Sequence, residues 1–146
     1  MVSTEDGLRR VAELASREHW LAVVVTVRAD GEPSTSVVNA GILPHPGDGR
    51  PVLGIVSRAG TARLVNLRHR PRATLVFRAG WEWISVSGTA AVLGPDNTDP
   101  EALRLLLREI YHAAGGEHPD LDEYDRAMAA EGRVAILVEP ERFGAN

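Results

Sequence analysis

Arg72-Ala73-Thr74-Leu75-Val76-Phe77-Arg78, then Ala79-Gly80, then Trp81-Glu82-Trp83-Ile84-Ser85-Val86-Ser87-Gly88-Thr89-Ala90-Ala91-Val92-Leu93: the fold turns on this stretch. After a first apolar and β-branched run, a Gly-containing dipeptide breaks the chain. The second run sets Trp81, Trp83 and Ser85 on one face against Glu82, Ile84 and Val86 on the other, the period of a strand. The stretch predicts two antiparallel strands, 72–78 and 81–93, joined at Ala79-Gly80.

The same reading extends outward in both directions. Upstream, residues 61–69 place Ala62, Val65 and Leu67 among basic residues, predicting a short helix ended by Pro71. Residues 52–57 read as a strand after a loop dense in Pro and Gly, and residues 20–28 and 34–42 as a hairpin about Asp30-Gly31. An amphipathic helix over 4–17 is capped by Ser3 or Thr4. Downstream, Thr98 or Asp99 caps a helix from Pro100 to about 114, stopped by Gly115-Gly116. Asp120 caps another to about 131, and residues 133–139 form a last strand closed by Pro140. Six strands with short connections in one domain, 1–146, predict a mainly β fold: a closed or nearly closed six-stranded antiparallel barrel with flanking helices.

Composition narrows the function. Of 146 residues, 44% are hydrophobic and 25% charged, an ordinary globular balance. No apolar run approaches the length of a membrane span, and the first residues lack a secretion signal, so a cytoplasmic protein with no membrane partner is expected. With no cysteine there is no thiolate nucleophile, disulfide, iron–sulfur cluster or Cys-based zinc site. All sixteen basic residues are Arg, which excludes a Schiff-base lysine. The net charge of −4 argues against nucleic acid as a partner. Dinucleotide, phosphate-loop, nucleophile-elbow and His-Glu-x-x-His signatures are absent, and the five scattered histidines predict no metal site.

Charge is unevenly placed. Arg58, Arg63, Arg68, Arg70, Arg72 and Arg78 fall in a run without one Asp or Glu, although the chain carries twenty carboxylates. Guanidinium forks suit phosphate and carboxylate. A helix starting just after a strand end and a Gly adds free backbone N–H groups, hydroxyls at Ser57 and Thr61, and Arg63 in its first turn. The segment 57–72 is therefore the expected anion site.

That segment, the strand 80–90, and Tyr111-His112-Ala113-Ala114-Gly115-Gly116-Glu117-His118-Pro119-Asp120 with Arg133-Val134-Ala135-Ile136 resemble the split-barrel flavin and deazaflavin oxidoreductases. That superfamily includes pyridoxamine 5′-phosphate oxidase, and the chain is most similar to its bacterial branch of coenzyme F420-dependent reductases. The resemblance runs from about Trp20 to the C-terminus. It implies an FMN-binding-type split β-barrel and a homodimer with two cofactors in grooves at the subunit interface. Arg63 matches the basic position that binds the cofactor phosphate, and Thr61 and Ser57 line the same corner. Ser36, Val37, Val38 and Asn39 match the wall along the ring system. Trp81, Trp83 and Arg133 match positions that approach the groove from one subunit or the other. The branch often carries Lys where this chain has Arg63, and a basic residue where it has Thr61.

The implied activity is hydride transfer from reduced F420 to an unsaturated small molecule, with no side chain assigned as catalytic. F420 is favoured over FMN because its phospholactate and glutamate chain form a long polyanion, which the basic run opening at Arg58 would meet. The alternatives are an FMN-binding oxidoreductase of the same fold and a non-catalytic flavin or deazaflavin carrier. A pyridoxamine 5′-phosphate oxidase proper is not expected, since the chain is shorter than that enzyme.

Overall fold

Strands β5 (Arg72–Ala79) and β6 (Glu82–Leu93) form the expected hairpin, in register from Arg72↔Thr89 to Ala79↔Glu82. The turn falls one residue later than its sequence suggested, on Gly80-Trp81, with Gly80 at φ 63° in the position that takes positive φ in a II′ turn. The computed structural model describes residues 2–146; Met1, the first residue of the expected domain, lies outside them.

β6 is long enough to serve two sheets. Its first half pairs β5, and its end, Ala90 to Leu93, pairs β7 (Val134–Val138). On one side β5 continues to β1 (Leu21–Val27) and β2 (Pro33–Asn39). On the other, β7 continues to β4 (Pro51–Ser57) and β3 (Gly41–Pro44). The order is β2-β1-β5-β6-β7-β4-β3, with β8 (Arg142–Ala145) added beside β6. The result is a mainly β, antiparallel split barrel flanked by helices.

The strand count needs correction: the described residues form eight strands where six were expected, and of the two forms expected, closed or nearly closed, the sheet takes the one that does not close. Residues 34–42, read as one strand, divide at Ala40. Its N–H donates to Trp20 O at 2.9 Å, while Gly41 enters the other sheet opposite Gly54. β8 follows Pro140 with no apolar alternation of its own; its pairing comes from the edge that β6 offers.

Leu75, Phe77, Ile84, Val24, Ile55 and Ile136 fill the barrel. Helix α1 (Thr4–Ala15), capped by Ser3, closes one end with Val11 and Leu14. Helix α3 (Pro100–Ala113), capped by Asp99, lays Leu103, Leu106, Leu107 and Ile110 over Leu43, Val52, Ala135 and Leu137 in a second cluster. β7 therefore has both faces covered, and all five of its residues are buried. α2 (Ala62–His69) and α4 (Leu121–Ala130) complete the set. Buried Asn66 on α2 donates to the Thr26 hydroxyl of β1 at 3.0 Å, fixing that helix to the barrel.

Candidate cofactor groove

The ends of β2 and β4, the start of α2, the α1–β1 connection and the α3–α4 segment border a groove of about 840 Å³. Arg63 stands on its wall, one residue into α2. Its Nη1 donates to Ser57 Oγ at 2.8 Å and its Nη2 to Ser36 Oγ at 3.1 Å, while Nε is buried with no partner. No carboxylate of the described residues balances it, and burial pulls its pKa below the ordinary arginine value. A half-buried guanidinium that has lost water and gained only neutral hydroxyls is electrostatically incomplete. Phosphate or carboxylate would complete it.

Two further arginines border the groove. Arg133 donates to Glu131 at 2.7 Å, and Arg58 lies 3.9 Å from the same carboxylate, so these two guanidiniums share one acid while Arg63 has none. The rings of Tyr111 and Tyr124, which also border the groove, stack at 4.7 Å. Both phenols are committed, Tyr111 donating to Glu117 O at 3.0 Å and Tyr124 to Leu107 O at 3.1 Å. The connection from α1 contributes His19 and Trp20, consecutive non-glycine residues at φ 57° and 58°. Such backbone is costly and must be held from outside. Asn39 does so by donating to His19 O at 2.8 Å, as does Ala40 N–H at Trp20 O.

Residues 9–145 match the sequence profile of the family described as Pyridoxamine 5′-phosphate oxidase. The chain belongs to that family. Solved structures agree on the fold. A conserved hypothetical protein, Rv2991 from Mycobacterium tuberculosis, superposes with a TM-score of 0.69 at 17% identity, over 99% of this chain and 84% of that one. A pyridoxamine 5′-phosphate oxidase-related, FMN binding protein from Nostoc punctiforme gives 0.68 at 12% identity, covering 99% and 85%. An F420 reductase gives 0.62 at 17% identity, covering 91% and 94%. At these identities the solved structures speak for the fold alone, an antiparallel split barrel.

Within this pyridoxamine 5′-phosphate oxidase fold, most residues singled out from sequence converge. Val37, Val38, Asn39, Ser57, Arg58, Thr61, Arg63 and Arg133 all border the groove, and Ser36 lies in a small adjoining depression shared with Thr61 and Arg63. Trp81 and Trp83 do not. They sit at the β5–β6 turn, 93% and 38% exposed, where Asn146 bonds the backbone of both. The basic run is also less free than its sequence suggested. Arg72 pairs with Glu141 at 2.7 Å and Arg68 with Asp96 at 3.4 Å, partners that lie far away in the chain. His19, Trp20, Tyr111, Tyr124 and Met128 border the groove without having been singled out. Gly115-Gly116 was the available signal, read only as a helix stop. A side chain at Gly116 would overlap the Tyr111 ring, so the pair of glycines shapes this wall.

Among the described residues no group of three or more His, Cys, Asp or Glu is placed to hold a metal ion. No helix there is long and apolar enough to cross a membrane.

Proposed function

We propose that the protein is a cytoplasmic, homodimeric F420-dependent reductase acting on a small unsaturated molecule. The observation that carries this reading is Arg63, a half-buried cation with an unpartnered Nε and no carboxylate, on the wall of a groove large enough for a tricyclic ring. The donor set fits a phosphate-bearing flavin-type cofactor. Arg63 would hold the phosphate, and the Ser36 and Ser57 hydroxyls would keep its fork in place. Val38 and Asn39, the latter with its side-chain amide fixed on His19 O, would lie along the ring, with Trp20 and the stacked tyrosines on the remaining walls. When bound in its reduced form, the deazaflavin supplies a hydride from C5 to an electron-poor double bond. The chain's share is to bind, orient and exclude water. Both phenols are bonded to main-chain carbonyls, so no tyrosine hydroxyl is free in the groove, and solvent would supply the proton that completes the reduction.

The likeness to an F420 reductase over more than nine-tenths of both chains supports the deazaflavin. One specific observation favours FMN instead: a single uncompensated guanidinium matches a single phosphate, and a structural neighbour is an FMN binding protein.

The homodimer rests on an apolar sheet face. Leu21, Val23 and Val27 of β1 are 37–40% exposed, Val37 of β2 is 64% exposed opposite Val23, and Trp83 lies on the same face of β6. A patch of this kind favours a protein partner. Val37 belongs to both the face and the groove, so a second copy seated there would border the cofactor.

Titration of the purified protein with FMN and with F420, followed by oxidation of the reduced cofactor with activated alkenes, decides among the readings. Tighter binding of F420 with turnover is the expected result. Preference for FMN overturns the cofactor assignment, and tight binding without turnover on a broad panel makes the protein a carrier.

A further inference from the structure

Proton chemistry in the groove falls to one side chain. The titratable groups that border it are His19, Arg58, Arg63, Arg133, Tyr111 and Tyr124. The guanidiniums stay charged, and both phenols are bonded to main-chain carbonyls. His19 is exposed, and its imidazole makes no hydrogen bond or ion pair among the described residues; only its carbonyl is engaged. Histidine is the residue whose ordinary ionisation falls between roughly pH 5 and 8, so it alone here can give up and recover a proton near neutrality. It is also the one histidine of five that borders the groove.

The fold imposes its position. His19 and Trp20 carry φ of 57° and 58°. A histidine tolerates this region, but for a bulky indole it is a true outlier. Three bonds hold the pair: Trp20 N–H donates to Ala15 O at 2.8 Å, Asn39 Nδ2 to His19 O at 2.8 Å, and Ala40 N–H to Trp20 O at 2.9 Å. Backbone kept in such a region by its surroundings clusters at functional sites. Asn39 also sets a distance. It lies three residues along β2 from Ser36, whose hydroxyl meets Arg63, and three residues of strand span roughly 10 Å. That is about the reach of the sugar-alcohol chain that joins a flavin-type ring to its phosphate. A cofactor anchored at Arg63 would therefore bring its ring beside His19.

We propose that His19 is the general acid of the reduction, the side chain through which a solvent proton reaches the substrate. This inference rests on the reductase reading above. The substrate class follows from it: an alkene conjugated to a carbonyl or similar group, whose β-carbon takes a hydride and whose α-carbon then needs a proton. The hydride and its two electrons leave the reduced cofactor, which is oxidised, as the alkene π bond breaks. An imidazolium N–H bond of His19 breaks as the bond from hydrogen to the α-carbon forms, and the neutral imidazole takes a new proton from water. The ring N–H proton released when the cofactor is oxidised goes to solvent, so one hydride and one proton enter the product. The charged and titratable groups around His19 are Arg58 and Arg63 from the β4–α2 side, Arg133 before β7, Tyr111 on α3 and Tyr124 on α4. On its own connection they are Glu18 and Arg17, the latter 3.6 Å from Glu82.

The test compares the wild type with His19→Asn, a change that tolerates positive φ but removes the acid. With F420 and cyclohex-2-enone, kcat should fall about 100-fold, the lower end for a lost general acid, while KM and the Kd for F420 stay close to the wild type's. Wild-type kcat should decline as the pH rises through the neutral range, and that of His19→Asn should be flat. His19→Gly, which also takes positive φ and leaves room for a free ring, should regain turnover with added imidazole, a response that a merely structural role would not give. Independently of turnover, F420 should shift the ring proton NMR signals of His19, identified by their loss in His19→Asn, more than those of the other histidines. Wild-type kcat and pH profile in His19→Asn, no rescue of His19→Gly, loss of F420 affinity in both variants, or His19 signals unmoved by bound F420 overturns the assignment of His19 alone. A wild type that binds F420 but reduces no activated alkene overturns the reductase reading, and the general acid with it.

Discussion

Arg63 is held for a ligand at some cost to the fold: its fork is desolvated and met only by two serine hydroxyls. Arg63→Ala should therefore weaken cofactor binding by about 1.5–3 kcal/mol, the range for a charge-assisted bond. Thermal stability should stay level or rise, because an uncompensated charge is removed. Titration calorimetry and melting curves on one preparation check both signs, and unchanged affinity would make Arg63 a bystander. Tyr124 tests a different balance. Burial, then the neighbouring Tyr111 phenol, pushes its pKa up to about 12. An unfolded phenol ionises near 10, so the folded state favours the neutral form. That contribution is complete below about pH 10 and disappears as the pH rises through about 12. Tyr124→Phe should lose about 0.5–1.5 kcal/mol at pH 8 with the bond to Leu107 O. Its stability should then fall less between pH 10 and 12 than that of the wild type, as followed by denaturant melts.

The elements were legible to the degree that local chemistry decides them. Ser3, Thr61, Asp99 and Asp120 cap helices where their side chains suggest, and the alternation of β6 correctly turns Ile84 and Val86 inward. What one segment owes to a distant one was not legible. The break at Ala40 depends on the Trp20 carbonyl, β8 on an edge of β6, and the neutralisation of Arg68 and Arg72 on Asp96 and Glu141. The groove divides along the same line. Arg63 and Ser57 announce themselves within one motif, whereas His19 and Trp20 join only because a strained connection folds back onto β2. Two substitutions probe these long-range dependencies. Asn66→Ala removes the tie between α2 and β1 and strands the Thr26 hydroxyl, which should cost about 1–3 kcal/mol. Cofactor affinity should fall with it, since α2 carries Arg63. Gly88→Ala places a methyl group against the Glu139 carbonyl, where the chain crosses β6 after β7. Backbone must move there, so a loss near 3 kcal/mol, at the upper end for overpacking, should appear in urea melts.

For the whole molecule the decisive quantity is the state of the β1–β2 face. Val23 and Val37 stand opposite each other, Leu21 and Val27 flank them, and Val76 and Trp83 extend the face across β5 and β6. An antiparallel sheet can leave one face to water, but it then alternates apolar-in with polar-out. β1 instead carries valine or leucine on the outward side at each of these positions, the pattern of a surface that becomes buried. Val23→Glu places a carboxylate at the centre of the face without touching the groove. Sedimentation velocity at micromolar concentration should show a dimer for the wild type and a monomer for Val23→Glu, with unchanged circular dichroism. Because Val37 joins the face to the groove, the monomer should also bind cofactor more weakly, although Arg63, Ser36 and Ser57 remain intact. A wild type that sediments as a monomer, or a monomeric variant that binds as tightly as its parent, would confine the cofactor site to one chain and leave Trp81 and Trp83 with no part in it.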